Sequence, residues 1–244
     1  KVARRLKASY SELVVDKFPD NETYLMFNTD LKGKDVVLVQ SFFPNVNDLL
    51  IEVILAAYTA KDLGAKKVRL VATYFPYFRQ DKRFNGGECV SIEAIGKMID
   101  RCFDEIIVIN PHLHRKKSLR EVFKIKSKEL KAMDLIHDYL EGKVDRNYAF
   151  VGPDRESGKW INRLARRFHA KAVVLEKKRF NATRVSINAK KLDGLNGKNA
   201  VIFDDMVSTG NTLLEAAKHL KKAGVKKILF ITTHGLFLND SLDK

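Results

Sequence analysis

The sequence has little cysteine and no long apolar run. Its two cysteines, Cys89 and Cys102, lie in neither a CxxC pattern nor a zinc-binding pattern, so we expect two reduced thiols. No apolar run reaches the length of about 20 residues that a membrane-spanning helix needs, and no signal peptide opens the sequence. We therefore expect a cytoplasmic protein without a membrane partner.

The sequence also lacks the composition of a disordered chain. Hydrophobic residues make up 45% of the 244 residues, which is enough for a hydrophobic core. Lysine and arginine number 45 against 30 acidic residues, and the net charge of +15 favours a polyanionic partner, either a nucleic acid or a phosphorylated small molecule. Because the basic residues are scattered along the chain, we expect most of them on a solvated surface and expect no nucleic-acid partner.

Apolar runs that are typical of buried strands alternate with helical patterns. The predicted strands are 35–42, 66–75, 105–111, 147–154, 171–179, 199–205 and 226–235. The predicted helices are 47–64, 91–102, 118–123, 131–142, 158–170 and 211–224. Repeated β-α-β units predict an α/β fold, with a mainly parallel sheet and helices on its faces.

Two stretches, 56–75 and 215–235, share one plan. Each has a helix, a glycine, a small residue, two lysines and a strand that contains a threonine, and the two glycines, Gly64 and Gly224, are 160 residues apart. We infer two copies of one α/β domain. The polar stretch 141–147 separates them, which predicts domains 1–143 and 144–244.

The sequence FDDMVSTGNT places two carboxylates and several hydroxyl groups around a predicted strand end and a predicted helix start. Asp204 and Asp205 come first, and Ser208, Thr209, Gly210 and Thr212 follow. A loop that enters a helix N-terminus presents unpaired N–H groups, and glycine allows close approach, so the loop predicts a phosphate site. Adjacent carboxylates suit the vicinal hydroxyls of a sugar, or a divalent metal that relieves their repulsion. The alternative is a threonine N-cap beside two exposed aspartates.

At this point the sequence resembles a known family. The stretch VIFDDMVSTGNTL is similar to the ribose 5-phosphate loop of type I phosphoribosyltransferases and of ribose-phosphate pyrophosphokinases. Residues 18–27 and 45–91, with the stretches VGPDRESGKWINRLA and VVLEKKRF, resemble the pyrophosphokinases, and archaeal members above all. The resemblance implies an α/β fold of two tandem type I phosphoribosyltransferase-like domains, each a mainly parallel sheet flanked by helices.

The resemblance also implies a reaction. The family transfers the diphosphoryl group of ATP to the anomeric hydroxyl of ribose 5-phosphate, which gives phosphoribosyl diphosphate and AMP for nucleotide biosynthesis, and it uses Mg²⁺. It implies catalytic roles for Lys177 and Arg179, with Lys178 on the opposite side of an extended segment. The implied ribose 5-phosphate contacts are Asp204, Asp205, Ser208, Thr209, Gly210 and Thr212. The implied ATP contacts are Phe18, Asp20, Glu22, Arg79, Gln80 and Asp81.

For the metal, the resemblance implies His112 and Asp154. His114 remains an alternative to His112, because the segment HLHRKKSLREVF departs from the family pattern by a longer and more basic insert. The alternative for Phe18 is a core aromatic residue, and the alternative for Lys177 and Arg179 is a solvated basic strand end.

The first copy lacks the phosphate loop of the second. It has QSFFPNVNDLL where the second copy has DDMVSTGNT, so we expect one active site per chain, with ATP contacts and subunit interfaces from the first copy. Residues 18–22 are expected to reach the ATP site of a neighbouring chain, which predicts a homo-oligomer, at least a dimer. The resemblance further implies residues before Lys1 and after Lys244. Two other functions remain open, a type I phosphoribosyltransferase and a non-catalytic regulatory homologue.

Overall fold

The computed structural model describes residues 2–175, 177–179, 185–187, 192–238 and 241, and for 177–179 and 185–187 it describes the backbone alone. The chain divides into two compact units, Lys1–Leu130 and Lys131–Lys244. Among the described residues, none of the helices combines the length and the apolar character that crossing a membrane requires.

The first unit contains an antiparallel hairpin and a parallel sheet with two long helices. Its elements are α1 Val2–Arg5, β1 Leu13–Lys17, β2 Thr23–Phe27, β3 Asp35–Ser41, α2 Val46–Asp62, β4 Lys67–Tyr74, α3 Ser91–Cys102, β5 Glu105–Ile109, a 3₁₀ turn Leu119–Glu121 and β6 Lys126–Leu130. β1 pairs with β2, and the sheet has the order β3-β4-β5-β6 with every neighbouring pair parallel. Consecutive strands are therefore neighbours, as short right-handed crossovers favour.

The core of the first unit extends into the loop after β4. Phe75 and Phe78 follow the strand directly and are buried. The ring of Phe75 packs against Phe42, with centroids 5.4 Å apart, and edge-on against Phe123 at 5.7 Å. Offset and edge-on aromatic pairs add to the stability that burial provides. This cluster fixes the backbone that leads to Arg79, the first predicted ATP contact of the loop.

The second unit is also an α/β domain with a parallel sheet. Its elements are α4 Met133–Leu140, β7 Tyr148–Gly152, α5 Gly158–Arg167, β8 Lys171–Val174, β9 Lys177–Arg179, β10 Val185–Ile187, β11 Asn199–Val207, α6 Asn211–Lys222 and β12 Ile228–Gly235. The sheet has the order β12-β11-β7-β8, and β9 pairs with β10 as a separate antiparallel hairpin. All five residues of β7 are buried, as expected for a central strand with both faces covered.

The second unit begins earlier than the boundary between 143 and 144 that the sequence predicts. Met133, Ile136 and Leu140 recur at helical spacing on α4 and are buried in one cluster with Tyr148 of β7. The polar residues after α4 form only the turn between this helix and β7. A charged stretch therefore marks a loop inside the second unit.

The two copies inferred from the sequence have the same pattern of backbone hydrogen bonds after α2 and after α6. Gly64 after α2 and Gly224 after α6 have φ angles of +83° and +80°. In both copies the glycine N–H donates to the carbonyl three residues back, and the next N–H donates to the carbonyl five residues back, at 2.9 to 3.1 Å. The two glycine carbonyls accept the N–H groups of Gly33 and Gly197, at 2.8 and 2.9 Å. The helix end and the following strand are therefore built alike in both units.

Four parts of the fold differ from the sequence patterns. The predicted helix 118–123 is only a 3₁₀ turn, Leu119–Glu121. The predicted strand 171–179 is two strands, because β8 ends at Val174 and the next strand begins at Lys177. β6, with the sequence KSKEL, has no apolar pattern, because it lies at the edge of its sheet. The hairpin of β1 and β2 was also not predicted, although its exposed and half-buried residues alternate along β2.

Candidate functional site

The adjacent aspartates of the second unit lie within a strand. β11 runs through Asp204 and Asp205 and ends at Val207, two residues beyond the predicted strand. Asp205 is only 6% exposed, and Asp204 is half-buried. The alternative of two exposed surface aspartates is therefore wrong. Burial of neighbouring carboxylates is costly unless hydrogen-bond donors or positive charge compensate them.

Asp154 lies at the same edge of the sheet. It follows β7, which pairs in parallel with β11, so the carboxyl ends of both strands meet at one edge. Its Oδ1 atom accepts the N–H groups of Glu156, at 3.0 Å, and Ser157, at 3.1 Å. These bonds fix the carboxylate at the entrance to α5.

The electrostatics of this edge favour a bound cation or a ligand that is rich in hydroxyl groups. The pKa of Asp204 is raised from 3.8 to about 8, first by burial and then by the negative charges of Asp205 and Asp154. A divalent cation, or hydroxyl groups that donate hydrogen bonds, would stabilise the charged carboxylates. Mg²⁺ prefers oxygen ligands, so the three carboxylates fit this ion, with Asp154 as the predicted ligand.

The loop after β11 enters α6 through a glycine in the left-handed conformation. Ser208, Thr209 and Gly210 form the loop, and Gly210 is the N-cap residue, with φ of +72°. Its lack of a side chain leaves the first N–H groups of the helix without a side-chain cap. These N–H groups and the positive end of the helix dipole can therefore bind an anion. The hydroxyl group of Thr212 lies on the first turn of the same helix.

Backbone hydrogen bonds hold this loop from the residues that follow β12. The N–H of Leu236 donates to the carbonyl of Val207, and the N–H of Leu238 donates to that of Ser208, both at 2.8 Å. The hydroxyl group of Ser241 also donates to the Ser208 carbonyl, at 3.3 Å. The loop is therefore fixed through its carbonyl groups, and the bonds use none of its hydroxyl groups.

Lys177 and Arg179, the predicted catalytic pair, lie at the two ends of β9. The backbone of β9 pairs with β10, Arg179 opposite Val185 and Lys177 opposite Ile187. The side chains of the pair lie outside the described residues. The predicted catalytic segment is therefore half of a hairpin, separate from the parallel sheet of the second unit.

The turn between β1 and β2 carries three predicted ATP contacts. The N–H of Phe18 donates to the carbonyl of Glu22, at 2.9 Å, and the Oδ1 atom of Asp20 accepts the Glu22 N–H, at 3.1 Å. The Phe18 ring is 50% exposed and packs edge-on against Tyr24, with centroids 5.9 Å apart. The alternative of a core aromatic is therefore wrong for Phe18, and an exposed ring at a hairpin tip can stack on a ligand.

Arg79, Gln80 and Asp81 follow the aromatic cluster of the first unit and differ in exposure. Arg79 is exposed, Gln80 is half-buried and Asp81 is buried. The pKa of the Glu88 carboxyl group is lowered, first by the side-chain amide of Asn85, then by the backbone N–H groups of Phe84 and Asn85, and least by Gln80. The Asp81 carboxylate instead accepts a bond from Arg115, at 2.7 Å. The loop therefore offers Arg79 and Gln80 to a ligand, and it directs Asp81 inward.

The segment after β5 carries both candidate metal histidines. The rings of His112 and His114 meet edge to face, with centroids 3.8 Å apart, and their Nε2 atoms approach each other. Both imidazoles therefore offer a nitrogen at one point, and either can be the predicted ligand. Because Mg²⁺ prefers oxygen ligands, the histidine assignment depends on the family resemblance.

Two residues that organise the first unit's loop were not among the predicted site residues. Glu88 accepts the N–H groups of Phe84, at 2.7 Å, and Asn85, at 3.1 Å, together with the side-chain amide of Asn85. Arg115 pairs with the buried Asp81. The sequence marks Arg115 only as part of a basic insert, and long-range pairing leaves no periodic pattern that could identify it.

Two family models match the chain in order. The first describes the N-terminal domain of ribose phosphate pyrophosphokinase and matches residues 1–102. The second describes a phosphoribosyl transferase domain and matches residues 118–237. The first match lies within the first structural unit, whereas the second begins at 118 in that unit, extends through most of the second unit and includes Asp204, Asp205 and the loop that follows them.

Known proteins match over almost the whole chain. Ribose-phosphate pyrophosphokinase of Methanobrevibacter smithii is 31% identical, over 98% of this chain and 82% of its own. The Pyrococcus abyssi protein of that name is 32% identical, over 94% of this chain and 78% of its own. A crystal structure of phosphoribosylpyrophosphate synthetase from Mycobacterium smegmatis has the same fold, with a TM-score of 0.88 and 23% identity over 98% of this chain and 78% of its own. The prediction of two tandem phosphoribosyltransferase-like domains is confirmed, and the chain belongs to the ribose-phosphate pyrophosphokinase family.

Proposed function

We propose that this chain is a ribose-phosphate diphosphokinase, which transfers the diphosphoryl group of ATP to the anomeric hydroxyl of ribose 5-phosphate and releases AMP. The observation that carries the proposal is the edge of the second sheet, where the half-buried Asp204 and the buried Asp205 precede a helix N-terminus capped by Gly210. A ligand that has a diol and a phosphate group a few atoms apart matches both features. Membership of the family supports the same reaction.

The second unit binds the sugar phosphate in this proposal. Asp204 and Asp205 accept hydrogen bonds from the ribose hydroxyls, which offsets the burial and the repulsion that raise the pKa of Asp204. The phosphate is bound by the first N–H groups of α6 and by hydroxyl groups of the loop. These phosphate ligands are Ser208, Thr209, Gly210 and Thr212.

In the chemical step, the negatively charged diphosphoryl group moves from ATP to the sugar, so the protein must neutralise the charge of that group. Lys177 and Arg179 supply positive charge in this proposal and stabilise the transferring group without a proton transfer. When Mg²⁺ is bound, it neutralises polyphosphate charge and orients the reacting oxygens. Asp154 is the proposed metal ligand in the second unit, and His112 or His114 is the proposed metal ligand in the first.

The first unit binds ATP in this proposal. Arg79 contacts the polyphosphate and Gln80 contacts the base, since Arg79 is exposed and Gln80 is half-buried on a loop that buried phenylalanines fix. The exposed ring of Phe18, with Asp20 and Glu22, contacts the nucleotide of a neighbouring chain. The protein is therefore a homo-oligomer of at least two chains.

A coupled assay for AMP tests the proposal. We expect release of AMP from ATP only when both ribose 5-phosphate and Mg²⁺ are present. Ribose without phosphate serves as the control, because it offers the diol and lacks the group that the loop binds. Absence of AMP release from the folded protein under these conditions would overturn the proposed activity.

Two further measurements separate the alternative functions. A type I phosphoribosyltransferase would consume phosphoribosyl diphosphate with a nucleobase and release diphosphate, so we expect no such activity. A non-catalytic regulatory homologue would bind ribose 5-phosphate without turnover. The basic residues Lys177 and Arg179, which a transferase reaction does not require in the same way, favour the diphosphokinase.

A further inference from the structure

The first unit contains one buried carboxylate that directly follows the proposed ATP contacts. The side chain of Asp81 is 3% exposed, although Arg79 is exposed and Gln80 is half-buried. A buried carboxylate is costly unless a positive group and hydrogen bonds compensate it. The Nη1 atom of Arg115 supplies both, at 2.7 Å from the Asp81 Oδ1 atom.

Arg115 is also held by the loop that follows Asp81. Its guanidinium lies 5.3 Å from the centre of the Phe84 ring, which is within cation–π range. The backbone N–H of Phe84 donates to the Glu88 carboxylate, at 2.7 Å, so the position of the ring is itself fixed. One guanidinium therefore contacts the loop at two points, through a charged hydrogen bond and through an aromatic face.

The segment that carries Arg115 is positioned by side-chain and loop contacts of this kind. The described backbone from 110 to 118 contains no helix or strand, so no hydrogen-bond ladder determines its path. Arg115 directly follows His114 and lies three residues after His112. A shift of the guanidinium would therefore move both candidate metal ligands relative to the loop that carries Arg79 and Gln80.

We infer that Arg115 and Asp81 are positioning residues, which hold the His112–His114 segment against the ATP loop of the first unit. The inference rests on the proposed function and refines it, because it assigns Asp81 a role through Arg115. Neither side chain needs to touch ATP. The pair sets the distance between two groups that must engage the same nucleotide, and small misplacements of reacting groups reduce rates strongly.

A double-mutant cycle tests this inference. We expect Arg115→Ala to lower kcat/KM for ATP by about 10²-fold while the KM for ribose 5-phosphate changes little. Asp81→Asn should have a similar effect, and the double variant should be no worse than either single variant, since both remove one interaction. Arg115→Lys should restore part of the activity, because it keeps the charge and loses the planar contact with Phe84.

The neighbouring residue gives a matched control. Lys116 pairs with Glu93, at 3.2 Å, in the same segment, and it contacts neither Asp81 nor Phe84 in the described interactions. Lys116→Ala should therefore keep full activity. Additive losses in the double variant, or a loss in Lys116→Ala equal to that in Arg115→Ala, would overturn the inference.

Hydrogen–deuterium exchange supplies a readout that does not depend on turnover. Arg115→Ala should raise exchange in 110–118 and 81–88 and leave the second unit unchanged. Unchanged exchange in both segments contradicts the positioning role, and so does a general increase across the first unit, which indicates a merely structural role. Failure of the proposed function would look different, because the unmodified protein would then release no AMP.

Discussion

At the residue scale, the chemistry depends on which charges are buried and which face solvent. Asp81 and Asp205 are both buried acidic residues, yet they have different surroundings. Asp81 has a guanidinium within hydrogen-bond distance, whereas the acidic pair in β11 has further carboxylates as neighbours. A paired carboxylate maintains a structure, and crowded carboxylates favour a cation or hydroxyl ligand. The same residue type therefore has two roles in one chain.

The raised pKa of Asp204 predicts how stability depends on pH. Its pKa is about 8 in the folded protein and 3.8 in the reference state, so the folded state binds the extra proton between these values. The stabilisation from this proton is complete below pH 3.8 and is lost as the pH rises through about 8. Asp204→Asn should therefore raise the midpoint of thermal unfolding of the ligand-free protein at about pH 9, by about 2–4 °C for each kcal/mol.

Thermal unfolding followed by fluorescence, at several pH values, measures this difference. It should shrink as the pH falls toward about 5, because Asp204 is then protonated in the folded protein. Asp145→Asn is the matched control, since Asp145 is exposed and precedes β7, whereas Asp154 of the acidic edge follows that strand. A difference that does not vary with pH would show that burial and the neighbouring charges do not control this carboxyl group.

Lys177 provides a second prediction at this scale. Lys177→Ala should lower kcat by about 10²–10³-fold, because it removes one group that stabilises charge in the transition state. The dissociation constants of ATP and ribose 5-phosphate should change little. Lys178→Ala is the control, since neighbouring residues of a strand face opposite sides. Equal losses in both variants, measured by steady-state kinetics, would argue for a general effect of basic charge.

At the element scale, both units contain the same type of helix C-terminus, but the residues around it differ. Gly64 and Gly224 have the same left-handed conformation and the same pair of backbone bonds. A Cβ atom at Gly64 would lie 3.5 Å from the nearest Lys32 atom, which is ordinary contact. A Cβ atom at Gly224 would overlap the side chain of Asn196. The two glycines therefore have the same backbone conformation, but the side chains that pack around them differ.

This difference in packing predicts that the same substitution lowers the free energy of unfolding by different amounts at the two glycines. Gly64→Ala should lower the free energy of unfolding by about 1–2 kcal/mol, which is the cost of the left-handed conformation for alanine. Gly224→Ala should cost more, because Asn196 must also move. Chemical denaturation of both variants measures the difference, and the double variant Gly224→Ala with Asn196→Ala should recover the excess. A cost at Gly224 that is no larger than at Gly64 would contradict the packing argument.

At the scale of the whole molecule, the two units divide the proposed tasks. The first unit presents the exposed Arg79 and the hairpin tip with Phe18. The second unit presents the acidic edge and the phosphate loop. Each unit has its own hydrophobic core, so binding of one substrate can protect one unit by itself.

This division predicts a pattern of protection from hydrogen exchange. Ribose 5-phosphate alone should slow exchange in 204–214 of the second unit, because its phosphate would take hydrogen bonds from the helix N–H groups. The loop 79–88 of the first unit should show little change. A non-hydrolysable ATP analogue should give the opposite pattern. Protection of 204–214 by the analogue and not by the sugar phosphate would reassign the loop to the nucleotide.

The sequence by itself determined the fold class and the position of the loop that is proposed to bind the sugar phosphate. Alternating strand and helix patterns predicted both parallel sheets, and the pairing of Gly64 with Gly224 predicted the duplication. These features are local, because they depend on the spacing of apolar residues and on glycine at a left-handed position. The acidic pair and the hydroxyl-rich loop were visible for the same reason, since they are contiguous in the chain.

Only the tertiary structure decided which groups meet across long stretches of chain. It joined Asp81 to Arg115, brought Asp154 close enough to raise the pKa of Asp204, and placed α4 in the second unit. Side-chain pairing and burial depend on how strands and loops pack in space, and no period or motif in the sequence records that packing. For this reason the chain's chemistry could be predicted from its motifs, whereas the contacts that position those motifs could not.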